Sequence, residues 1–249
     1  MRETRYFYST EPLSGVLPTD EAAHAVRVLH LSEGDEVVLT DGRGTFYDAV
    51  IKEASAKRCT YNICGMRPWA KPWSGRLHIA LAPTKNNDRT EWFAEKATEI
   101  GVDEITLLLC RNSERRVMRE DRVEKILVAA MKQSHKALLP RLNAMTDFAR
   151  FVATPFDGDK FIAHCHAPED IDGGSAKPHL FDTIDGSTDT LVAIGPEGDF
   201  TIDEVREALS RGFRQVSLGQ SRLRTETAAL SAVQMASLRH RITTKTTTP

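Results

Sequence analysis

The sequence predicts an α/β protein: a mostly parallel sheet with crossover helices, preceded by a small β-rich unit. Three observations carry that expectation. From Leu77 onward, apolar runs of strand length alternate with helix-length stretches, the pattern of a parallel sheet. Before it, residues 1–72 hold four candidate strands and one short helix. Near the end, two consecutive strands each run into a glycine-containing loop and then a helix, and α/β sheets collect ligands outside the carboxyl ends of strands.

The candidate strands of residues 1–72 are 5–8, 36–40, 45–52 and 58–63, with Asp41-Gly42 as a turn signal. A short helix is expected over 21–31, stopping near Gly34. Together they suit a small barrel. Residues 66–76, with two prolines and a glycine, read as a linker, so the boundary is set between 72 and 73 and the second domain runs over 73–249. Trp69 and Trp73 are expected to pack at that junction.

In the second domain, 77–82 is a strand and 88–100 a helix closed by Gly101. Lys85 and Arg89 precede or open this helix, where cations oppose the helix dipole; such placement points to phosphate contact. The strand 105–109 leads to an arginine run, Arg111, Arg115, Arg116 and Arg119. Val123, Ile126, Leu127, Ala130, Met131 and Ser134 then mark an amphipathic helix over 121–137. The strand 161–164 ends at His164-Cys165-His166, which lacks neighbouring partners for a metal site. Residues 167–189 read as a mobile acidic loop. A buried strand, 191–194, enters Gly195-Pro196-Glu197-Gly198, and Thr201 with Glu204 form a capping box for a helix stopped by Gly212. A last strand, 215–218, ends at Gly219, followed by Ser221-Arg222-Leu223-Arg224 and a helix from Thr225.

At 249 residues, 41% hydrophobic and 27% charged, the chain has the size and composition of one large or two ordinary globular domains. No apolar run is long enough to span a membrane and the start lacks a signal-peptide core. Four cysteines without metal-type spacing point to reduced thiols in the cytoplasm. The net charge of -2 conceals a strong asymmetry: residues 151–189 carry 2 basic and 8 acidic groups, so the rest of the chain is net basic.

The glycine loops match neither a P-loop nor a G-x-G-x-x-G fingerprint, and Glu197 would repel phosphate, so a cationic or neutral ligand suits them better. Read together, IGPEGDF at 194–200 and SLGQSRLRTETA at 217–228 closely resemble the C-terminal signature of the SPOUT methyltransferases, specifically the RsmE family of 16S rRNA (uracil-N3) methyltransferases. Further family motifs appear as His24 to Leu29 with Gly34-Asp35, as Lys85, Asp88, Arg89 with Lys96 to Val102, as Glu114-Arg115, and as Gln133-Ser134 with Pro140. His30, Lys132 and Lys136 depart from them, standing where arginine, an acid and arginine are usual.

The resemblance implies a PUA-like RNA-binding domain followed by a SPOUT domain with a deep trefoil knot, acting as a homodimer on 16S rRNA in the small ribosomal subunit. It implies that S-adenosyl-L-methionine is held by Ile194, Gly195, Pro196, Glu197 and Gly198, and by Leu218, Gly219, Leu223, Arg224, Thr225 and Glu226. The loop after 161–164 corresponds to the first of three loops lining that site. Lys85, Arg89, Arg115, Arg116, Lys132, Lys136 and Arg222 are the expected RNA contacts. No histidine or lysine lies in 195–226, so no neutral-pH base is evident there; Arg224 is expected to stabilise charge on the uracil. Two readings compete: a knotted methyltransferase acting on another atom, such as a ribose 2′-hydroxyl, and a non-catalytic RNA-binding assembly protein.

Overall fold

The structure, a computed structural model, describes residues 4–171, 173–174 and 176–247. Its chain divides into two compact units, one comprising residues up to Ala70 with Val128–Leu139, the other Lys71–Leu127 with the chain from Pro140 onward.

In the first unit, β1 (Tyr6–Tyr8), β2 (Glu36–Thr40), β3 (Thr45–Ala54) and β4 (Cys59–Pro68) form one sheet in sequence order. β1 runs parallel to β2; the other pairings are antiparallel. Gly42, at φ 71°, makes the turn into β3 while Asp41 accepts from the Arg43 N–H at 2.7 Å. The helix α1 (Thr19–Arg27) packs on the sheet through Ala22 and Ala25, against Phe7, Leu39, Ile51 and Tyr61. It stops earlier than periodicity suggests because His30 takes a left-handed φ of 53°, which turns Leu29 and Leu31 back onto the core. β4 continues to Pro68, into the stretch that reads as a linker. The returning segment adds Ala137 beside Val38 and Phe46, with Trp69 against the same cluster.

The second unit contains β5 (Leu77–Leu81), α2 (Asn87–Ile100), β6 (Glu104–Leu109), the start of α3 (Glu120–Gln133), β7 (Arg141–Asp147), α4 (Phe148–Val152), β8 (Asp159–Ala163), α5 (Pro168–Ile171), α6 (Leu180–Thr183), β9 (Thr190–Ile194), α7 (Ile202–Ser210), β10 (Arg214–Val216) and α8 (Thr225–Thr247). Its sheet has the order β10-β8-β9-β5-β6-β7 with every pairing parallel. β5 and β9 are buried at every position, as central strands covered on both faces must be. On one face Phe148, Phe151, Phe200, Val205 and Ala208 pack against Ala80, Leu108, Ile162 and Ala193. α8 packs against β5, β9 and α2, burying Ala229, Ala232, Val233 and Ala236.

Three differences from the sequence reading stand out. β7 and α4 have no counterpart in it. The stretch expected to be a mobile loop, 167–189, contains α5 and α6, which seat Ile171 and Leu180 in the core, while residues 172 and 175 lie outside the described residues. Trp73 lies buried in the second unit under Gly101, where a Cβ would approach its ring to 2.7 Å, whereas Trp69 packs in the first.

Candidate active site

The carboxyl ends of β8, β9 and β10 are adjacent in the sheet, and their loops enclose a cavity of about 610 Å³. β8 contributes Ala163, His164 and Cys165; β9 delivers Ile194 to Glu197 and then Asp199; β10 delivers Val216 to Arg224. The first turn of α8 adds Thr225 and Ala228, and α2 adds Arg89.

Each loop is fixed by hydrogen bonds readable from its residues. Glu197 accepts from the Lys85 N–H at 2.9 Å, so its carboxylate ties the β9 loop to the approach of α2. Asp199, at a left-handed φ of 64°, accepts from Cys165 N at 2.7 Å and Phe200 N at 2.8 Å, bridging the β9 and β8 loops. Asn112 donates to the carbonyls of Gly198 and Asp199, each at 3.1 Å. The capping box of α7 is present, and its Glu204 also accepts from Arg111 N at 2.8 Å. Gly219, which lines the cavity, has φ +129° and open space where a Cβ would stand, so the β10 loop turns by a conformation that glycine supplies.

Of the residues expected to hold a cofactor, Ile194, Gly195, Pro196, Glu197, Leu218, Gly219, Leu223, Arg224 and Thr225 line this one cavity. Gly198 and Glu226 stand behind its wall. Gly198 does not have a positive φ, and a Cβ there would meet Asn112 at 3.1 Å, so its smallness serves the loop contact. Glu226 is buried, 3.8 Å from the Arg89 guanidinium, and its second carboxylate oxygen is buried without a partner.

The expected RNA contacts are dispersed. Arg222 and Arg224 are exposed at the cavity, and neither forms an ion pair among the described residues. Lys85 pairs with Glu114 at 2.8 Å, and Arg115 donates to the Lys85 carbonyl. Arg116 lines a second cleft with Asp147 and Asp203. In the first unit, Lys132 pairs with the mostly buried Glu21 at 2.5 Å, and Lys136 is half-buried.

Besides the residues of 195–226, two cationisable groups reach the cavity: His164, at the loop that the resemblance placed there, and Lys177, which the sequence reading did not single out. His164 is buried; burial, then the nearby Lys177 charge, lower its pKa to about 4 and keep it neutral. Its Nε2 lies 3.3 Å from Gln215 Oε1, and its Nδ1 is buried without a partner. Lys177 reaches back from the 167–189 connection and donates to the carbonyls of His164 and His166, with burial lowering its pKa. Among the described residues no cluster of three or more metal-ligating side chains exists, and no helix is long and apolar enough to cross a membrane.

The fold alone does not single out an activity, but the RNA methyltransferase domain family matches residues 71–237, and the RNA methyltransferase PUA domain family matches 17–64, so the chain is an RNA methyltransferase. The chain is 24% identical, over 88% of its length and 87% of the relative's, to ribosomal RNA small subunit methyltransferase E of Bacillus subtilis. A crystal structure of a probable rRNA-methyltransferase from Porphyromonas gingivalis is 42% identical, with TM-score 0.88 over 96% of this chain and 99% of that one. The chain belongs to the RNA methyltransferases and, among them, to the RsmE family. The same fold occurs in a ribosomal RNA small subunit methyltransferase E from Neisseria gonorrhoeae bound to S-adenosyl methionine, 24% identical with TM-score 0.79 over 93% of this chain and 96% of that one.

Proposed function

We propose that the cavity at the ends of β8, β9 and β10 holds S-adenosyl-L-methionine and that Arg224 faces the uracil whose N3 is methylated. The protein is an S-adenosylmethionine-dependent enzyme that methylates N3 of a uridine in 16S rRNA of the small ribosomal subunit. The observation that carries the site assignment is the convergence of the three loops on one cavity, with Gly219 turning the β10 loop along it. A volume of about 610 Å³ is that of a small-molecule site, and its wall mixes apolar side chains with backbone polar groups.

When bound, the cofactor supplies an electrophilic methyl on a sulfonium; the N3 electron pair forms the new bond, and the sulfur keeps the old one. N3 must also lose its proton. His164 is poorly suited to keep it, because a pKa near 4 makes the imidazolium too strong an acid. Glu197 is committed to the Lys85 N–H and Glu226 faces Arg89. The proton therefore leaves to solvent, and the enzyme's part is to position the base and stabilise the anion on O2 and O4. The exposed guanidinium of Arg224 suits that task.

RNA phosphates are assigned to Arg222, Arg115 and Arg116, and to Lys85, Arg89, Lys132 and Lys136. Of these, Lys85, Arg89 and Lys132 must exchange a carboxylate partner for phosphate. A homodimer, a trefoil knot involving the β10 loop and α8, division into domains near residue 72, and a cytoplasmic location complete the proposal.

The test is methylation of small subunits lacking the modification, followed by nucleoside mass spectrometry. One 3-methyluridine per subunit is expected. A 2′-O-methyl product overturns the uracil mechanism, and cofactor binding without any product would favour a binding protein.

A further inference from the structure

Lys177 is a half-buried ammonium in the cavity wall that forms no direct ion pair among the described residues, although the Asp199 carboxylate is near enough to favour its charge. Two of its three N–H donors are spent on the carbonyls of His164 and His166, which fix the ammonium at the end of β8. The third remains. The cavity's own acids are committed elsewhere: Asp199 to Cys165 N and Phe200 N, Glu197 to Lys85 N. A cation withdrawn from water and held rigidly calls for an anion that arrives with the ligand.

The other cations at the cavity differ in kind. Arg89 already faces Glu226, and Arg222 and Arg224 are exposed, open to a polyanion approaching from solvent. Lys177 alone combines partial burial, fixed geometry and an unspent N–H donor, with the Asp199 carboxylate acting on its charge from nearby but not in a direct ion pair. The ligand proposed for this cavity carries one carboxylate, on its amino-acid end. We infer that the Lys177 ammonium, seated on the His164 and His166 carbonyls, binds the carboxylate of S-adenosyl-L-methionine and so sets which end of the cavity receives the amino-acid moiety. This rests on the reading of the cavity as the cofactor site.

Titration calorimetry on the full chain tests it with two ligands, S-adenosyl-L-methionine and its decarboxylated form, which keeps the sulfonium, adenosine and amine and lacks only the carboxylate. Lys177→Met should weaken S-adenosyl-L-methionine by about 10- to 100-fold, the value of a charge-assisted hydrogen bond. Its affinity for the decarboxylated ligand should match that of the wild-type chain, which also shows the cavity intact. Lys177→Arg should recover most of the lost affinity. An equal loss for both ligands would mean that Lys177 only braces the loop, and no loss for either would mean that it faces no carboxylate; each overturns the inference. A wild-type chain that binds neither ligand overturns the cofactor reading itself, a result distinct from both.

Discussion

Gly219 carries the most specific backbone demand at the site. Its φ of +129° excludes ordinary side chains at low cost, yet a Cβ would meet nothing within 4 Å, so strain rather than collision is the penalty in the free protein. Gly219→Val should therefore leave a folded protein, destabilised by about 1–3 kcal/mol, whose affinity for S-adenosyl-L-methionine falls at least tenfold by calorimetry. Undiminished affinity would remove the β10 loop from the binding surface. Gly195 is the opposite case: a Cβ there would lie 3.0 Å from Phe200 N and 3.1 Å from its ring, so even alanine should act on stability. For Arg224→Lys, the charge remains and the planar fork is lost, so the rate of uracil methylation should drop while cofactor affinity persists. Turnover of the wild-type enzyme should rise from neutral to alkaline pH as more N3 is deprotonated. Loss of cofactor binding in the variant would place Arg224 in the cofactor wall instead. The place of these residues at the cavity was legible because they sit in two short motifs, 194–200 and 217–228. That of Lys177 was not, since periodicity does not reveal that a lysine 11 residues downstream folds back onto the His166 carbonyl.

Among the elements, those with local signals were the readable ones. The Thr201–Glu204 capping box and the Gly101 and Gly212 stops place α7 and α2 within a residue or two of their observed ends. β7 escaped because RLNAMTD is an edge strand with no buried position, and α4 because five residues offer too little periodicity. Ile171 and Leu180 anchor the 167–189 connection, but isolated apolar residues in an acidic stretch announce nothing. The strands also bury charge-capable groups whose titration is testable. On β5, His78 hydrogen-bonds Thr106 Oγ1 at 2.8 Å, and burial, assisted by Arg76 and Arg141, lowers its pKa to about 4; His164 just beyond β8 is alike. The unfolded chain, with histidine near 6.5, binds more protons between pH 4 and 6.5, so stability is full above that window and falls on acidification through it. The unfolding free energy from urea titrations should be nearly flat from pH 8 to 7 and decline from 6.5 to 5, by up to about 1.4 kcal/mol per pH unit for each histidine. His78→Gln should reduce that slope. An unchanged slope would assign the acid sensitivity to other groups.

For the whole molecule, the open question is what covers its remaining apolar surface. The apolar face of α3 is not free to cover it: Val123, Leu127, Ala130 and Met131 are all buried within a single chain. Among the described residues Leu13, Val16, Val28, Met66 and Val117 are exposed singly, whereas three further exposed apolar side chains fall on the last helix and its neighbour. Leu238 and Ile242, one turn apart on α8, are 42% and 49% exposed, and Trp92 on α2 is 42% exposed, on two helices that pack together. Paired apolar side chains on the helix whose first turn lines the cavity are a costly surface for a monomer and a suitable seam for a symmetric dimer. The expected outcome is a light-scattering mass of two chains at micromolar concentration. Replacing Leu238 and Ile242 together by glutamate should shift it to one chain, because like charges would face each other across an isologous contact. If the double variant remains dimeric, the seam lies elsewhere; if the wild-type protein itself scatters as one chain, the dimer is wrong and the cavity must work within a single subunit.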